Sequence, residues 1–145
     1  MNLDPSDVET QELRLSLRLA QLEKIEESQK KFLPFVKSMW PDFIEGTHHR
    51  LIAEKLERIA SGELKRLIVN MPPRHTKSEF ASFLFPAWMI GIKPSMKIIQ
   101  ATHTTELAVN FGRKVKNLLE TEEYKEIFPD TKLAIDSKAS GRWDT

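Results

Sequence analysis

The sequence predicts an α/β fold in which helices flank a partial parallel sheet, behind an N-terminal helical segment. Three observations lead there. Leu67-Ile68-Val69 is a short apolar run bounded by Lys65-Arg66 before it and Pro72-Pro73 after it, as a buried strand would be. Lys97–Ala101 reads as a second strand. Helical patterns follow each of them, so strand, helix, strand and helix succeed one another in the order of a right-handed βαβ unit.

The elements follow in chain order. The first eight residues read as frayed. From about Val8 to Lys31 the pattern is helical, with Val8, Leu15, Leu19 and Leu22 on one stripe and Leu13, Leu17 and Ala20 widening it. That stripe is expected to pack on the body of the domain, with a partner surface as the alternative. Phe32–Phe43 is aromatic and broken by Pro34 and Pro41, the pattern of a bent connector. Thr47 is expected to cap a helix running to about Ala60, with Leu51, Ile52, Leu56 and Ile59 inward, and Ser61-Gly62 ends it. A further helix is expected from Lys77 or Ser78 to about Ile90, kinked by Pro86 and closed by Gly91. Thr104 caps a long helix to about Thr121, with Leu107, Phe111, Val115 and Leu118 inward. A short helix near Tyr124–Phe128, a Pro129-Asp130 turn and a strand around Leu133–Ile135 complete the reading. Two units result: a helical segment over 1–46 and an α/β unit over 47–145.

Composition narrows the function without naming it. With 145 residues, 40% apolar and 30% charged, the chain can bury one ordinary core. Its net charge of +1 hides a gradient. Residues 1–46 hold six Lys/Arg against nine Asp/Glu, residues 47–95 eight against four, and residues 96–145 eight against eight. The central excess of positive charge suits a phosphate-rich ligand, and equally a solvated basic face. The absence of cysteine excludes disulfides and cysteine-ligated zinc. No stretch approaches the roughly 20 apolar residues that span a bilayer, and the acidic N-terminus lacks a signal core. No membrane partner is therefore expected.

The informative segment is Met71-Pro72-Pro73-Arg74-His75-Thr76-Lys77-Ser78, placed between the first strand and the helix after it. A phosphate-binding loop needs backbone N–H groups curled around the anion and a helix N-terminus aimed at it. It also needs a lysine for the β- and γ-phosphates and a hydroxyl for Mg²⁺. Lys77 and Ser78 supply the last two. Met71 and Thr76 stand where the consensus G-x-x-x-x-G-K-[ST] has its glycines. A threonine at the second position loses free access to positive φ, so Thr76→Gly is expected to be neutral or favourable for binding. A Lys-Ser pair at an ordinary solvated helix start is the competing reading.

Met71–Glu79 resembles the phosphate-binding loop of the large terminase subunits of tailed bacteriophages, which reads Pro-Pro-Arg-x-Gly-Lys-Ser. The resemblance extends to His48–Ile52 with Gly62-Glu63, to Lys97–Thr104, to Glu106–Ala108 with Phe111–Arg113, and to Ala139–Trp143. It covers about Phe32 to Thr145, with four separated segments agreeing in order and spacing. It implies a P-loop NTPase-type sheet and an ATPase that drives double-stranded DNA into a procapsid. Lys77 and Arg74 would be its catalytic cations, Arg74 at the γ-phosphate. Pro73, Arg74, His75, Thr76, Lys77, Ser78 and Glu79 would line the ATP, and Ser78 would meet its Mg²⁺. Partners implied are DNA, a portal protein, a small terminase subunit and a homo-oligomeric ring, in the host cytoplasm at the portal. No apolar strand ending in paired acidic residues follows the loop. The chain is therefore expected to be the N-terminal part of such a motor subunit, cut before its Walker B strand, binding ATP weakly and hydrolysing it negligibly. The alternatives are another helicase-like DNA translocase and a non-enzymatic helical interaction module.

His48-His49, adjacent at a helix start, point about 100° apart and are poorly placed to share a metal. His75 is expected in the loop, facing phosphate or solvent. His103 with Thr102, Thr104 and Thr105 resembles a helicase motif that couples nucleotide state to DNA, against the simpler reading of Thr104 as a helix cap. Arg113, Lys114 and Lys116 read as a solvated basic face, or as phosphate-backbone contacts. Trp40, Trp88 and Trp143 read as packing residues. Asp130, Asp136 and Asp144 read as solvated charges.

Overall fold

In the computed structural model, which describes the backbone of residues 5–133 and the side chains from Val8 onward, every regular element is helical. They are α1 (Pro5–Lys30), α2 (Phe32–Met39), α3 (Thr47–Ala60), a π-helical turn (Glu79–Leu84), α4 (Phe85–Ile92), α5 (Thr105–Leu119) and α6 (Glu122–Ile127). No residue among those described lies in a strand. The expected α/β parallel sheet, with its P-loop NTPase-type topology and βαβ crossover, is overturned. Leu67–Val69 and Lys97–Ala101 are the two corrections, since both run without regular structure. A parallel strand takes its backbone partners only from neighbouring strands, and here neither run has one. Ile68 and Ile99 are 85% and 95% exposed, while Leu67 packs against the core and Val69 is half-buried, so the two runs are covered on one side at most and not enclosed as buried strands would be. Of the proposed third strand, Leu133 has no regular structure and the remainder lies outside the described residues.

The core is an aromatic cluster gathered between helices. Phe32, Phe35 and Val36 of α2 are fully buried. The bent connector expected over Phe32–Phe43 is thus for most of its length a helix. Pro34 falls in its first turn, where a missing N–H costs no helical hydrogen bond. The Phe32 ring meets Phe80 and Phe85 edge-on at 5.5 and 5.7 Å. Phe35 meets Tyr124 edge-on at 6.1 Å, and the Tyr124 hydroxyl donates to the Ala87 carbonyl at 2.8 Å. Trp88 Nε1 donates to the Ser28 carbonyl at 3.0 Å, tying the end of α1 to α4. Glu57 of α3 accepts from the Phe32 N–H at 2.9 Å and so caps α2 from another helix.

α3 matches its expected span, with Gly46 rather than Thr47 at its N-cap. Its inward face is His49, Ala53, Leu56 and Ala60, while Leu51 is exposed. Gly62, at φ 82°, closes it by donating to the Ile59 carbonyl at 3.0 Å. Thr104 caps α5, its hydroxyl accepting the Leu107 N–H at 3.3 Å. Gly91 lies inside α4 rather than closing it, and the space left by its missing side chain is occupied by the Phe128 ring.

The long stripe of α1 departs from expectation. Leu13, Leu15, Leu17, Leu19 and Leu22 are all exposed, and only the C-terminal end of the helix, around Ser28, is packed on the body.

Candidate functional site

The loop from Met71 to Ser78 leads directly into a helix, as a phosphate-binding loop requires. Lys77 and Ser78 form the first helical residues, followed by the π-helical turn. The Phe80 N–H bonds the Thr76 carbonyl at 3.0 Å, so the first turn closes immediately behind the loop. Two residues here take positive φ without being glycine: Arg74 at 64° and Thr76 at 60°. That left-handed conformation reverses the chain around Pro73–Lys77. It places the Lys77 and Ser78 N–H groups at the open helix end, where no intrahelical carbonyl can accept them.

Thr76 therefore does reach the conformation that the consensus reserves for glycine. For an L-residue this costs about 1–2 kcal/mol. The compensation is visible in its hydroxyl. Thr76 Oγ1 lies 2.7 Å from His49 Nε2 and donates to the His75 carbonyl at 2.6 Å. Two hydrogen bonds at about 1 kcal/mol each offset that strain.

His49 is the part that sequence reasoning missed. It is 5% exposed and sits in the first turn of α3. Its Nδ1 accepts the Gly46 N–H at 2.8 Å. Nδ1 therefore carries the lone pair, and in the neutral ring the proton belongs to Nε2. Nε2 then donates to Thr76 Oγ1, which leaves the threonine proton for the His75 carbonyl. The relay runs in one direction, from Gly46 through His49 and Thr76 to His75. The ring is held between Phe80, stacked at 5.1 Å, and Phe43, edge-on at 4.8 Å. Burial holds the imidazole below its ordinary protonation range, and neighbouring His48 pushes the same way against an opposing Glu45. The sequence signal for this role was the His49-to-Gly46 spacing of a helix start, which reads equally well as an ordinary cap.

Pro73, Arg74, His75, Lys77 and Ser78 are exposed along the loop, and Met71 is half-buried. His75 Nδ1 lies 2.9 Å from the Pro73 carbonyl, which folds the ring back onto the loop. Among the described residues, Arg74 and Lys77 form no ion pair with a protein carboxylate. Glu79 is turned away toward α5, paired with Lys114 at 3.2 Å. Lys114 also lies over the Phe83 and Phe111 rings at 5.7 and 5.9 Å while remaining exposed, so it covers apolar surface from a solvated face. Trp88 is a core residue, Trp40 packs on Phe43 at 5.5 Å, and Trp143 lies outside the described residues.

The π-helical turn has a local cause. Pro86 has no N–H to give the Ser82 carbonyl four residues back. Gln100 Nε2 donates to that carbonyl at 2.7 Å, which also ties the irregular Lys97–Ala101 segment to the helix behind the loop. His103 and Thr104 line an open depression of about 630 Å³ along the first turns of α5, together with Glu106, Asn110 and Arg113. Thr102 turns inward to the chain, its hydroxyl donating to the Thr104 carbonyl at 2.6 Å. No group of three or more His, Cys, Asp or Glu side chains among the described residues is placed to hold a metal ion. No helix among them is long and apolar enough to cross a membrane.

Comparison with known proteins adds no relative: no family model, no curated protein and no solved structure matches this chain. The likeness to large terminase subunits rests on the residues quoted above.

Proposed function

We propose that Pro72–Ser78 binds the phosphates of ATP, and that the chain is the ATP-binding part of a DNA-packaging motor resembling the large terminase subunits. The observation that carries this reading is the joint placement of Arg74, Lys77 and Ser78. Two cations that form no ion pair among the described residues, and one hydroxyl, stand around the open N-terminal end of a helix. Such an end attracts anions through its unpaired N–H groups and its dipole. The loop reaches this geometry without the underlying sheet that the resemblance implied, held by a contact from α3. Mg²⁺ fits the same arrangement only together with the nucleotide. Ser78 offers one neutral oxygen, and Mg²⁺ ordinarily takes several of its ligands from substrate phosphates and water.

Lys77 would approach the β-phosphate as a point charge, while Arg74 would offer a planar fork to the γ-phosphate. Titration of ATP and ADP in Mg²⁺ against single variants tests this. Lys77→Ala is expected to weaken both nucleotides by roughly ten- to a hundredfold, the loss of one charge-assisted contact. Arg74→Ala is expected to weaken ATP more than ADP. Equal losses in Arg74→Ala would remove the γ-phosphate role, and an unchanged Lys77→Ala would remove the phosphate site. A second reading, a helical interaction module, is favoured by the exposed leucines of α1 and the all-helical body. It predicts no nucleotide binding by the parent chain.

A further inference from the structure

In the contact between His49 and Thr76, a buried polar side chain from another helix grips the loop. His49 is almost fully enclosed, and its ring is fixed on both faces by Phe43 and Phe80. Its two nitrogens are committed, one to the Gly46 N–H and the other to the Thr76 hydroxyl. Thr76 immediately precedes Lys77, so a constraint at Thr76 acts one residue from the group that would meet the β-phosphate. α3 itself is anchored in the core through Ala53, Leu56 and Ala60. The imidazole thus ties the loop to the body of the protein, beside the tie through the Phe80 N–H at the start of the following helix.

We infer that His49 and Thr76 form a latch that positions the phosphate loop, with His49 as a positioning residue and the Thr76 hydroxyl standing in for the conformational freedom of the consensus glycine. This rests on the phosphate-binding reading above. A glycine permits the left-handed conformation passively, whereas Thr76 is held in it by hydrogen bonds. A held loop loses less freedom when the anion arrives, which favours binding. Replacing Thr76 by glycine would relax the backbone and release the latch together, so the expectation of a neutral or favourable Thr76→Gly no longer follows.

Two substitutions separate the hydroxyl from the backbone. Thr76→Val keeps the branched shape and loses the hydroxyl, and Thr76→Ser keeps the hydroxyl. Calorimetric titration of ADP in Mg²⁺ is expected to show Thr76→Val roughly tenfold weaker than the parent, and Thr76→Ser within about threefold of it; a tenfold change corresponds to about 1.4 kcal/mol. His49→Ala should match the loss in Thr76→Val, and the double variant should be no worse than either alone. Imidazole ¹⁵N spectra of the parent supply a readout independent of nucleotide, with Nε2 protonated and Nδ1 bare. Thr76→Val within about threefold of the parent would overturn the latch, as would Thr76→Ser falling as far as Thr76→Val. A proton on Nδ1 would overturn the latch while leaving the phosphate site standing. No detectable ADP binding by the parent would overturn the phosphate reading, and the latch's role in it.

Discussion

His49 carries its own consequence for stability. Its folded state disfavours the charged imidazole, chiefly through burial. Protonation would also set a second donor against the Gly46 N–H that Nδ1 now accepts. The unfolded chain takes up this proton around the ordinary value of 6.5, and the folded chain only at lower pH. The unfolded state thus binds more protons in that window, so stability rises with pH across it. The contribution is complete above about 6.5 and is lost as pH falls through the lowered folded value. Urea midpoints measured at pH 7.5, 6.5 and 5.5 should fall toward acid more steeply in the parent than in His49→Gln. Identical slopes would mean that the imidazole is not held neutral.

At the scale of the elements, packing of one helix on another decides the details that single-helix rules leave open. Gly91 shows this. A glycine near the end of a helical pattern reads as a terminator, yet here it lies within α4 because the Phe128 ring occupies the space beside it. A Cβ at this position would fall inside the van der Waals envelope of the ring. Gly91→Ala raises helix propensity by about 1 kcal/mol, and an overpacked core typically costs about 1–3 kcal/mol. The clash is expected to win, leaving the variant less stable by about 1–2 kcal/mol in chemical denaturation. A stabilised variant would show that Phe128 moves aside freely. Pro86 illustrates the opposite case. Its effect on hydrogen bonding followed from chemistry alone, while the donor at the Ser82 carbonyl, Gln100, came from a segment that periodicity had assigned to a strand.

For the molecule as a whole, stability should be concentrated in the aromatic centre and nearly absent from the projecting part of α1. Phe35 is fully buried, against Tyr124 and Phe128. Phe35→Ala is expected to cost about 3–5 kcal/mol through lost burial and the cavity left behind. Leu15 is 65% exposed, so Leu15→Ser should stay within about 0.5 kcal/mol. Equilibrium denaturation of the two variants checks both statements. A loss above about 1 kcal/mol in Leu15→Ser would mean that the stripe is covered in solution.

Local signals were legible wherever a residue acts on its own neighbours. The caps at Thr104 and Gly62, the spans of α3 and α5, and the loop-to-helix junction at Lys77-Ser78 all follow from side-chain chemistry within one turn. Of the proposed site, only the residue chemistry was legible: Arg74, Lys77 and Ser78 could be named because their charges and hydroxyl are local properties. The sheet was misread because Leu67–Val69 and Lys97–Ala101 carry apolar residues without saying what lies beside them. A strand exists only through backbone bonds to another strand, so its signal is conditional on a partner, whereas a helix satisfies its own backbone. His49 was opaque for the related reason that its partner, Thr76, is brought to it only when α3 folds against the loop. Sequence by itself determined the spans of α3 and α5, the caps at Gly62 and Thr104, and which charged and hydroxyl groups the loop carries. Tertiary structure alone decided that the apolar triplets stay unpaired, that the α1 leucines face solvent, and that a buried imidazole holds Thr76, because each depends on which distant surface arrives alongside.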